Sequence, residues 1–380
     1  MIDVLVSGAG PAGTIAAIVL ARAGVRVRVL DRARFPRDKL CGDTVNPGAM
    51  AILTGLGLAH VTAGSLPVRG MVVTEGSGVR CVGRYPDGVE GRALRRCALD
   101  GALVGAARRE GVEIDEGVLV LGPEWSRGRV AGLRVRGANG REHCLPARLV
   151  VAADGAASRL ARELGLSAHA RRPRRWAVGA YFSDVACDGP DDVEGGLGEM
   201  HLRRNAYIGV APTPGGLTNV CVVTSDRARL RDPSTIIADT LRSDPMLRDR
   251  FERARLLNRP VSLGPLAVEN ANSTAPGVLL AGDAAGFIDP MTGDGLRFAF
   301  RGAELAAQTA LRMLAHGNVE QDRRWLHAAR HREFGFKWRF NRALRALVDS
   351  PVAMRAAAAG ATVAPSILAR VIRVAGDVGR

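Results

Sequence analysis

The apolar positions at the start of the chain predict a strand, a helix and a second strand. Residues 2–7 form an apolar run with the character of a buried strand, and residues 14–23 form an alanine- and leucine-rich helix that ends at Gly24. The run VRVRVL at 25–30 predicts the next strand, which ends at Asp31. This order is that of a βαβ unit with parallel strands.

Later segments repeat the pattern. Residues 148–165 predict a strand followed by a helix that Ser158 caps, and residues 278–281 predict a core strand followed by a polar loop and a long apolar helix from about Gly295. Between 166 and 261, alternating apolar and polar positions predict antiparallel strands. The chain therefore combines parallel α/β units with an antiparallel sheet.

The last sixty or so residues predict a basic helical tail. Its apolar positions Ile367, Leu368, Val371, Ile372 and Ala375 fall on one helix face. The favoured interpretation is a helix packed on its own domain, and the alternative is peripheral contact with a membrane surface.

Composition narrows the function classes only slightly. The chain has 380 residues, 47% hydrophobic, and a formal charge of +15 that is carried almost entirely by arginine. We attribute this bias to GC-rich coding and expect no nucleic-acid partner. The six cysteines are scattered without C-x-x-C spacing, so we expect no metal site and a reducing, cytoplasmic setting, and no run is long enough to predict a transmembrane helix.

The glycines after the first strand form a dinucleotide-binding fingerprint. Gly8, Gly10 and Gly13 match G-x-G-x-x-G, with Pro11 and Ala12 between them, in the strand–turn–helix context that the motif requires. The turn brings a pyrophosphate to the helix N-terminus, and Asp31 is placed to accept hydrogen bonds from ribose hydroxyls. The fingerprint alone does not distinguish NAD from FAD.

Two further motifs, taken with the fingerprint, resemble the flavoprotein superfamily of p-hydroxybenzoate hydroxylase and the geranylgeranyl reductases. They are Asp154-Gly155 after the predicted strand at 148–152, and Gly282-Asp283 in LLAGDAAGFIDPMTGDGL. The resemblance covers roughly residues 1–320 and implies that the cofactor is FAD. It places Asp154 near the pyrophosphate and Asp283 on the ribitol.

The resemblance also implies a set of further cofactor contacts. Arg96, in an R-x-x-L-D helix start, would meet the phosphate and ribitol region. Backbone at 290–295 would approach the flavin ring, with the following helix pointing its N-terminus at the ring. The remaining candidate cofactor-binding residues are Arg32, Cys41, Gly42, Pro290, Gly293, Gly295 and Leu296.

The resemblance implies an α/β (α+β) fold: a Rossmann-like FAD-binding domain, a discontinuous antiparallel-sheet substrate domain and a helical C-terminal tail. We expect the FAD-binding domain at 1–65, 93–165 and 262–320, the substrate domain at 66–92 and 166–261, and the tail at 321–380. The substrate pocket is expected between the sheet and the flavin, lined by Tyr207 and Pro212.

The segment FPRDKLCGD at 35–43 is closer to the geranylgeranyl reductase branch than to the hydroxylases. Cys41 and Asp43, together with Asp294 in the DPMTGDG loop, are the candidate proton donors in catalysis, although Cys41 fits a small apolar filler equally well. Flavin halogenases carry a W-x-W motif and a catalytic lysine. The chain has no W-x-W and no lysine between Lys39 and Lys337, so we do not expect halogenation.

Three functions remain open from the sequence. The first is reduction of an alkene in a lipophilic polyprenyl, quinone or polyketide-type compound by reduced flavin. The second is monooxygenation of an aromatic or polyketide metabolite through a flavin C4a-hydroperoxide, and the third is a non-catalytic flavin-binding electron carrier. Because there is only one dinucleotide fingerprint, NAD(P)H would bind transiently, or a partner reductase or ferredoxin would supply electrons. We expect a cytoplasmic protein, with contact at the inner face of the membrane through the C-terminal helix as the alternative.

Overall fold

A mostly parallel six-stranded sheet and a larger, mostly antiparallel sheet form the two halves of the molecule. The computed structural model describes residues 2–76, 78–169, 174–186, 196–270, 272–350, 352–354, 356–357, 360 and 365–378. The strands are β1 Val4–Ser7, β2 Val27–Asp31, β3 Thr44–Val45, β4 Leu66–Val68, β5 Gly70–Glu75, β6 Arg80–Arg84, β7 Gly91–Ala93, β8 Glu113–Glu116, β9 Leu119–Ser126, β10 Arg129–Arg136, β11 Glu142–Pro146, β12 Leu149–Ala152, β13 Ser167–His169, β14 Trp176–Ser183, β15 Leu197–Arg203, β16 Ala206–Thr213, β17 Leu217–Thr224, β18 Arg255–Leu256, β19 Val261–Leu263, β20 Val268–Asn270, β21 Thr274–Ala275 and β22 Val278–Leu280.

The helices flank these sheets and form the C-terminal part of the chain. They are α1 Pro11–Arg22, α2 Pro47–Gly55, α3 Arg96–Arg109, α4 Arg159–Glu163, α5 Pro233–Ser243, α6 Arg248–Phe251, α7 Gly295–His316, α8 Val319–Asp349 and α9 Pro365–Ala375. Short 3₁₀ turns lie at Ala59–Thr62, Ala228–Arg231, Gly282–Ala285 and Pro290–Thr292.

The six-stranded sheet has the order β21-β22-β12-β1-β2-β8. Its strands pair in parallel except for the edge strand β21. Strands β1, β12 and β22 are buried at every position, as expected for a parallel sheet that is covered on both faces. The carboxyl ends of β1, β2, β12 and β22 therefore meet at one edge, where the predicted glycine and aspartate motifs follow them.

The second sheet contains eight strands in the order β18-β14-β17-β16-β15-β5-β6, with β19 paired to β14 beside β18. The pairings are antiparallel except between β15 and β5. The mixed α/β architecture with two sheets and a helical C-terminal region confirms the predicted fold class. The exact domain bounds stay a prediction.

The C-terminal helices pack on the body of the protein. On α9, Ile372 and Ala375 are buried, and Ile372 lies against Gly83 of β6. Ile367, predicted on the same apolar face, is instead 65% exposed. The side chain of Leu368, also predicted there, lies outside the described part of the chain. No helix in the described part of the chain has the length and apolar character needed to cross a membrane.

Candidate active site

The glycine loop after β1 is shaped by contacts that exclude a side chain. Gly8 has a φ of +100°, and a Cβ there would lie 2.5 Å from the carbonyl oxygen of Ala153. A Cβ on Gly13 would overlap the carbonyl oxygen of Gly8. These glycines bring the start of α1 against β1 and the end of β12, with Pro11 and Ala12 buried in its first turn, so the open amides of the helix face the cleft.

Asp31 holds the glycine loop in place. Its Oδ2 accepts the Ala9 N–H at 2.8 Å, and its Oδ1 accepts the Ala33 N–H at 2.8 Å. Each carboxylate oxygen can accept a second hydrogen bond, so the group can still serve a ribose hydroxyl. The next residue, Arg32, is exposed.

Two cations that sequence reasoning did not assign lie over the loop. Arg37 reaches Asp31 at 3.9 Å and Asp100 at 3.5 Å, and its Nη2 lies 3.2 Å from where a Cβ on Gly10 would be. The amine of Lys39 lies 4.0 Å from the corresponding position at Gly155 and has no hydrogen-bond or ion-pair partner among the described residues. Their R-x-K spacing, one residue before Cys41-Gly42, was the available signal.

Open acceptors face the same cleft. Asp154 Oδ2 accepts the Arg159 N–H at 3.1 Å, whereas its Oδ1 is buried without a partner among the described residues, and burial raises the pKa of this carboxyl. The half-buried Asp283 carboxylate has no hydrogen bond to the rest of the described chain and lies in the field of Lys39. Gly282, at φ +60°, lets this loop approach Ala12, where a Cβ would lie 2.7 Å from the alanine Cβ.

This set of groups fits FAD. Its diphosphate needs cations and open amides, which Lys39, Arg37 and the α1 N-terminus provide, and its ribityl and ribose hydroxyls need acceptors, which Asp283, Asp154 and Asp31 provide. The orphaned Asp154 oxygen and the partnerless Lys39 amine are polar groups whose expected partners are not side chains of the described chain.

Arg96, predicted to meet the phosphate and ribitol region, forms a salt bridge within α3. Its guanidinium is buried and donates two hydrogen bonds of 2.9 Å to Asp100, one turn along α3. Because Asp100 already neutralises this charge, Arg96 contributes less to an anionic ligand than the nearby Lys39 does.

The segment at 41–43 leads into a buried polar cluster. The Asp43 side chain is 1% exposed; its Oδ1 accepts the Arg96 N–H at 3.1 Å, and its Oδ2 accepts hydrogen bonds from the Tyr181 hydroxyl and, at 2.9 Å, from Asn219. Burial raises the pKa of Asp43 to about 6, against these hydrogen bonds, which lower it. The half-buried Cys41 thiol contacts Arg96, and Gly42 is exposed.

The DPMTGDG loop is held from the opposite sheet. Asp289 caps the turn Pro290–Thr292 and accepts hydrogen bonds from the Tyr207 hydroxyl at 2.6 Å and from Arg175 at 3.0 Å. Gly293 follows at φ +66° with open space where a Cβ would be, and Pro290 and Gly295 flank the turn, while the Leu296 side chain packs in the core.

Tyr207 and Pro212 are the residues predicted to line the substrate pocket. Tyr207 is buried with its hydroxyl bound to Asp289, and Pro212 is half-buried in β16; neither lines the apolar cavity beside the loop. That cavity is lined by β5, β15, the loop residues Met291 and Thr292, and the C-terminal helices. This cavity could not be predicted from the sequence, because its walls come from segments far apart in the chain.

Asp294, a predicted candidate proton donor, is buried in an ion pair. Its carboxylate is 1% exposed and accepts hydrogen bonds from Lys337 at 3.0 Å and from Asn46 at 3.1 Å. Burial raises the pKa of Asp294, and the Lys337 ammonium opposes that rise. A carboxylate paired in this way acts as a structural anion at the start of α7.

Comparison with known proteins gives one family and several named relatives. The profile described as "FAD binding domain" matches residues 1–323. The chain is 32% identical over 321 residues to a menaquinone reductase of Mycobacterium tuberculosis, covering 80% of this chain and 76% of that protein. It is 28% identical over 316 residues to digeranylgeranylglycerophospholipid reductase 2 of Methanopyrus kandleri, covering 81% of this chain and 76% of that one.

Solved structures share the fold at lower identity. The flavin-dependent brominase Bmp2 superposes with a TM-score of 0.86 at 22% identity, covering 99% of this chain and 93% of that one. A geranylgeranyl bacteriochlorophyll reductase-like protein of Thermoplasma acidophilum superposes with a TM-score of 0.79 at 22% identity, covering 91% of this chain and 87% of that one. At these identities the likeness concerns the fold alone.

Proposed function

The chain belongs to the FAD binding domain family and is an FAD-dependent oxidoreductase, and on this premise we propose that it reduces a carbon–carbon double bond of an isoprenoid lipid. The observation that carries the proposal is the 32% identity to a protein named menaquinone reductase. The two relatives are named for menaquinone and for digeranylgeranylglycerophospholipid. These compounds have different head groups, and each carries polyisoprenoid chains. The isoprenoid chain is thus their shared chemical feature.

The chain's own residues suit this chemistry. FAD, when bound, supplies the two-electron reduction. Lys39, Arg37 and the amides at the start of α1 would hold its diphosphate, and Asp283 would accept from its ribityl hydroxyls. The N-terminus of α7 carries partial positive charge, which favours negative charge on a ring placed beside it.

A proton must accompany hydride addition to an alkene, and Asp43 is the proposed source. A carboxyl with a pKa of about 6 is partly protonated near neutral pH. Tyr181 and Asn219 hold the Asp43 carboxyl in one orientation. Asp294, paired with Lys337, is the poorer donor, and Cys41 stays a candidate close to the same cluster.

Monooxygenation is the less favoured function, because the named relatives above are reductases. The likeness to a brominase lies below 25% identity and concerns fold only. As electron donor we propose NAD(P)H or a partner reductase or ferredoxin. We further propose that the enzyme works in the cytoplasm at the inner face of the membrane, where its lipid substrate is found.

The test is a single anaerobic turnover. The FAD-loaded enzyme is reduced chemically and mixed with a short-chain menaquinone, while the flavin absorbance and the mass of the extracted lipid are followed. We expect reoxidised flavin and a lipid that has gained two hydrogens in its side chain.

Reoxidation that leaves the side chain unchanged would overturn alkene reduction. Mixing the reduced enzyme with oxygenated buffer then tests the alternative, since a transient oxygen adduct before reoxidation would support monooxygenation.

A further inference from the structure

One edge of the eight-stranded sheet exposes a cluster of aliphatic side chains. Strands β18 and β19 lie along the outer side of β14, which is their only strand partner within the described residues. Those residues expose eleven large hydrophobic side chains, and four of them fall within 256–263, namely Leu256, Leu257, Val261 and Leu263, at 43% to 50% exposure. Such clustering indicates a contact surface, whereas exposed hydrophobic side chains that are scattered singly are ordinary. We call residues 255–263 the edge patch.

Most of the aliphatic side chains of the edge patch lie on the active-site face of the sheet. Along the edge, Leu257, Val261 and Leu263 lie opposite Tyr181, Gly179 and Ala177 of β14. Residues directly opposite each other in an antiparallel pair share a face of the sheet. On that face the Tyr181 hydroxyl donates to Asp43. The exposed aliphatic surface therefore continues the active-site face out to the edge of the sheet.

Arginines accompany these aliphatic side chains. Arg253, Arg255 and Arg259 are exposed, with Glu252 as the acidic residue beside them. Arg255 lies 3.6 Å from Asp184, but both side chains are largely exposed, and such ion pairs are weak. Aliphatic side chains next to cations suit a surface that is anionic outside and hydrocarbon inside, which is the surface of an anionic bilayer.

The same edge is poorly suited to pair with a strand of another chain. Strand β18 has two residues and β19 has three, and the segment between them contains Pro260. Short edge strands and proline are features by which sheets avoid edge-to-edge pairing. Leucine and valine are also under-represented among the residues that anchor protein interfaces. A bilayer, which requires no backbone pairing, therefore fits the edge patch better than a second copy or a partner protein does.

We propose that the edge patch docks the enzyme on an anionic phospholipid bilayer. Leu257, Val261 and Leu263 enter the boundary between head groups and acyl chains, and Arg255 and Arg259 bind lipid phosphates. The proposal rests on the function proposed above, which makes the substrate a membrane lipid. Docking here places the active-site face beside the bilayer that contains this lipid. The membrane contact is then the sheet edge, and not the C-terminal helix considered from the sequence.

Vesicle sedimentation tests the docking. The FAD-loaded full chain is mixed with vesicles of equal parts phosphatidylglycerol and phosphatidylcholine, or of phosphatidylcholine alone. We expect binding to the anionic vesicles that weakens as salt is added. Binding to the neutral vesicles should be about tenfold weaker or less, because the arginines then lack their partners.

Two double variants separate the apolar and the charged contributions. Leu257→Ser with Leu263→Ser removes aliphatic contact, and Arg255→Gln with Arg259→Gln removes charge. Each should lower partition onto the anionic vesicles about tenfold or more. All four side chains are exposed, so FAD content and the thermal unfolding midpoint should remain those of the wild type.

Matched controls come from exposed positions on the C-terminal helices. Ile367 of α9 is 65% exposed, and the Arg324 side chain of α8 is 80% exposed. Ile367→Ser and Arg324→Gln should leave vesicle binding unchanged. Turnover is measured with short-chain menaquinone in anionic vesicles and in detergent micelles. The edge variants should lose turnover in the vesicles and keep it in the micelles.

Every outcome bears on the edge patch. Wild type that ignores anionic vesicles, or edge variants that bind them as wild type does, would overturn the docking surface. Loss of binding in Ile367→Ser alone would assign the contact to α9 and also overturn it. A leucine variant that changes oligomeric state, in a protein that does not bind vesicles, would assign the patch to a second copy. Vesicle binding that needs the patch, in an enzyme that leaves the lipid's double bonds intact, keeps the docking surface and overturns the proposed reaction.

Discussion

Asp43 is placed both to cap α3 and to donate a proton. It adopts a φ of +54°, which is unusual for a residue other than glycine, and its carboxylate accepts hydrogen bonds from two side chains and from the first amide of α3. The same burial that makes these contacts firm raises its pKa to about 6. The two roles therefore predict different effects when Asp43 is replaced.

If Asp43 donates the proton, turnover should depend on its protonated form. The turnover rate should be level below about pH 6 and fall about tenfold per pH unit above it. Asp43→Asn should lower the rate and flatten the profile, as measured by lipid reduction across pH. A variant that only loses thermal stability and keeps the wild-type pH profile would assign Asp43 to capping α3 alone.

Gly13 is constrained by backbone contact. Gly13→Ala would force the new Cβ into the Gly8 carbonyl, and we expect loss of FAD and a drop of about 1–3 kcal/mol in the free energy of unfolding. Gly105→Ala is the control, since its Cβ meets only the end of Arg109 at 3.6 Å. Flavin absorbance of the purified proteins and urea unfolding check both; full FAD retention in Gly13→Ala would contradict the expected loop geometry.

At the residue scale, the sequence predicted what depends on local spacing. Gly8, Gly13, Asp31 and Asp283 could be proposed because each lies at, or within a few residues of, the end of a recognisable strand. The pairing of Arg96 with Asp100 was not predicted, because sequence alone does not show which partner a charge takes.

At the scale of elements, the DPMTGDG loop follows β22 of the six-stranded sheet, but its hydrogen bonds come from the eight-stranded sheet. Tyr207 comes from β16 and Arg175 lies just before β14, and both bind Asp289. Burial raises the pKa of Tyr207 well above its ordinary value, so its hydroxyl stays protonated and donates. The loop is thus a joint between the cofactor side and the substrate side.

Tyr207→Phe should loosen this joint. Removing a buried hydrogen bond to a carboxylate should cost about 1.5–3 kcal/mol of unfolding free energy, and the bound flavin should dissociate more readily. Tyr85→Phe is the matched control, because the Tyr85 hydroxyl has no hydrogen-bond partner in the described residues. Equal stability losses in the two variants would indicate that the Tyr207 bond does not hold the loop.

Elements were predicted where the apolar pattern is local, as for α1, β12 and the start of α7. The hydrogen bond between the eight-stranded sheet and the loop was not predicted, because Tyr207 and Asp289 lie 82 residues apart. An aromatic in a strand has the same pattern whether it faces a substrate or a loop. Tyr207 was therefore expected in the substrate pocket.

At the scale of the whole molecule, a buried ion pair couples the second sheet to pH. Glu199 of β15 accepts hydrogen bonds from Arg250 of α6 at 2.7 Å and 2.8 Å, and from His201 at 2.9 Å. Burial acts to raise the pKa of Glu199, but these partners outweigh it and lower the pKa to about 2. Since the folded pKa lies below the ordinary 4.5, the pair stabilises the fold above about pH 4.5.

Glu199→Gln should remove that contribution, about 3 kcal/mol at pH 7 by the usual conversion. The gap in unfolding free energy between wild type and variant should narrow as the pH falls from about 4.5 towards about 2. Glu113→Gln, at an exposed pair of 3.9 Å, is the control and should have little effect. Urea unfolding at several pH values measures both, and a gap that does not change with pH would contradict the assigned pairing.

The fold class of the whole chain could be predicted from the sequence, but the packing of its C-terminal helices could not. Three strand-end motifs indicated the cofactor sheet, and alternation indicated the antiparallel sheet. The position of α9 beside the apolar cavity depends on Lys337 meeting Asp294, 43 residues away, and the end of α9. A lysine within a long basic helix gives no sign that it will be fully buried.

The scarcity of lysine gives the protein a built-in chemical reporter. Lys337 is fully buried against Asp294 and the end of α9, while Lys39 lies beside the cofactor cleft, and these are the only two lysines of the sequence. Burial and the neighbouring Arg96 lower the pKa of Lys39, which makes its amine more reactive towards acylating reagents. Acylation followed by peptide mapping should mark Lys39 in the apoprotein and spare it in the FAD-loaded protein, so one peptide would read out cofactor occupancy without any optical signal.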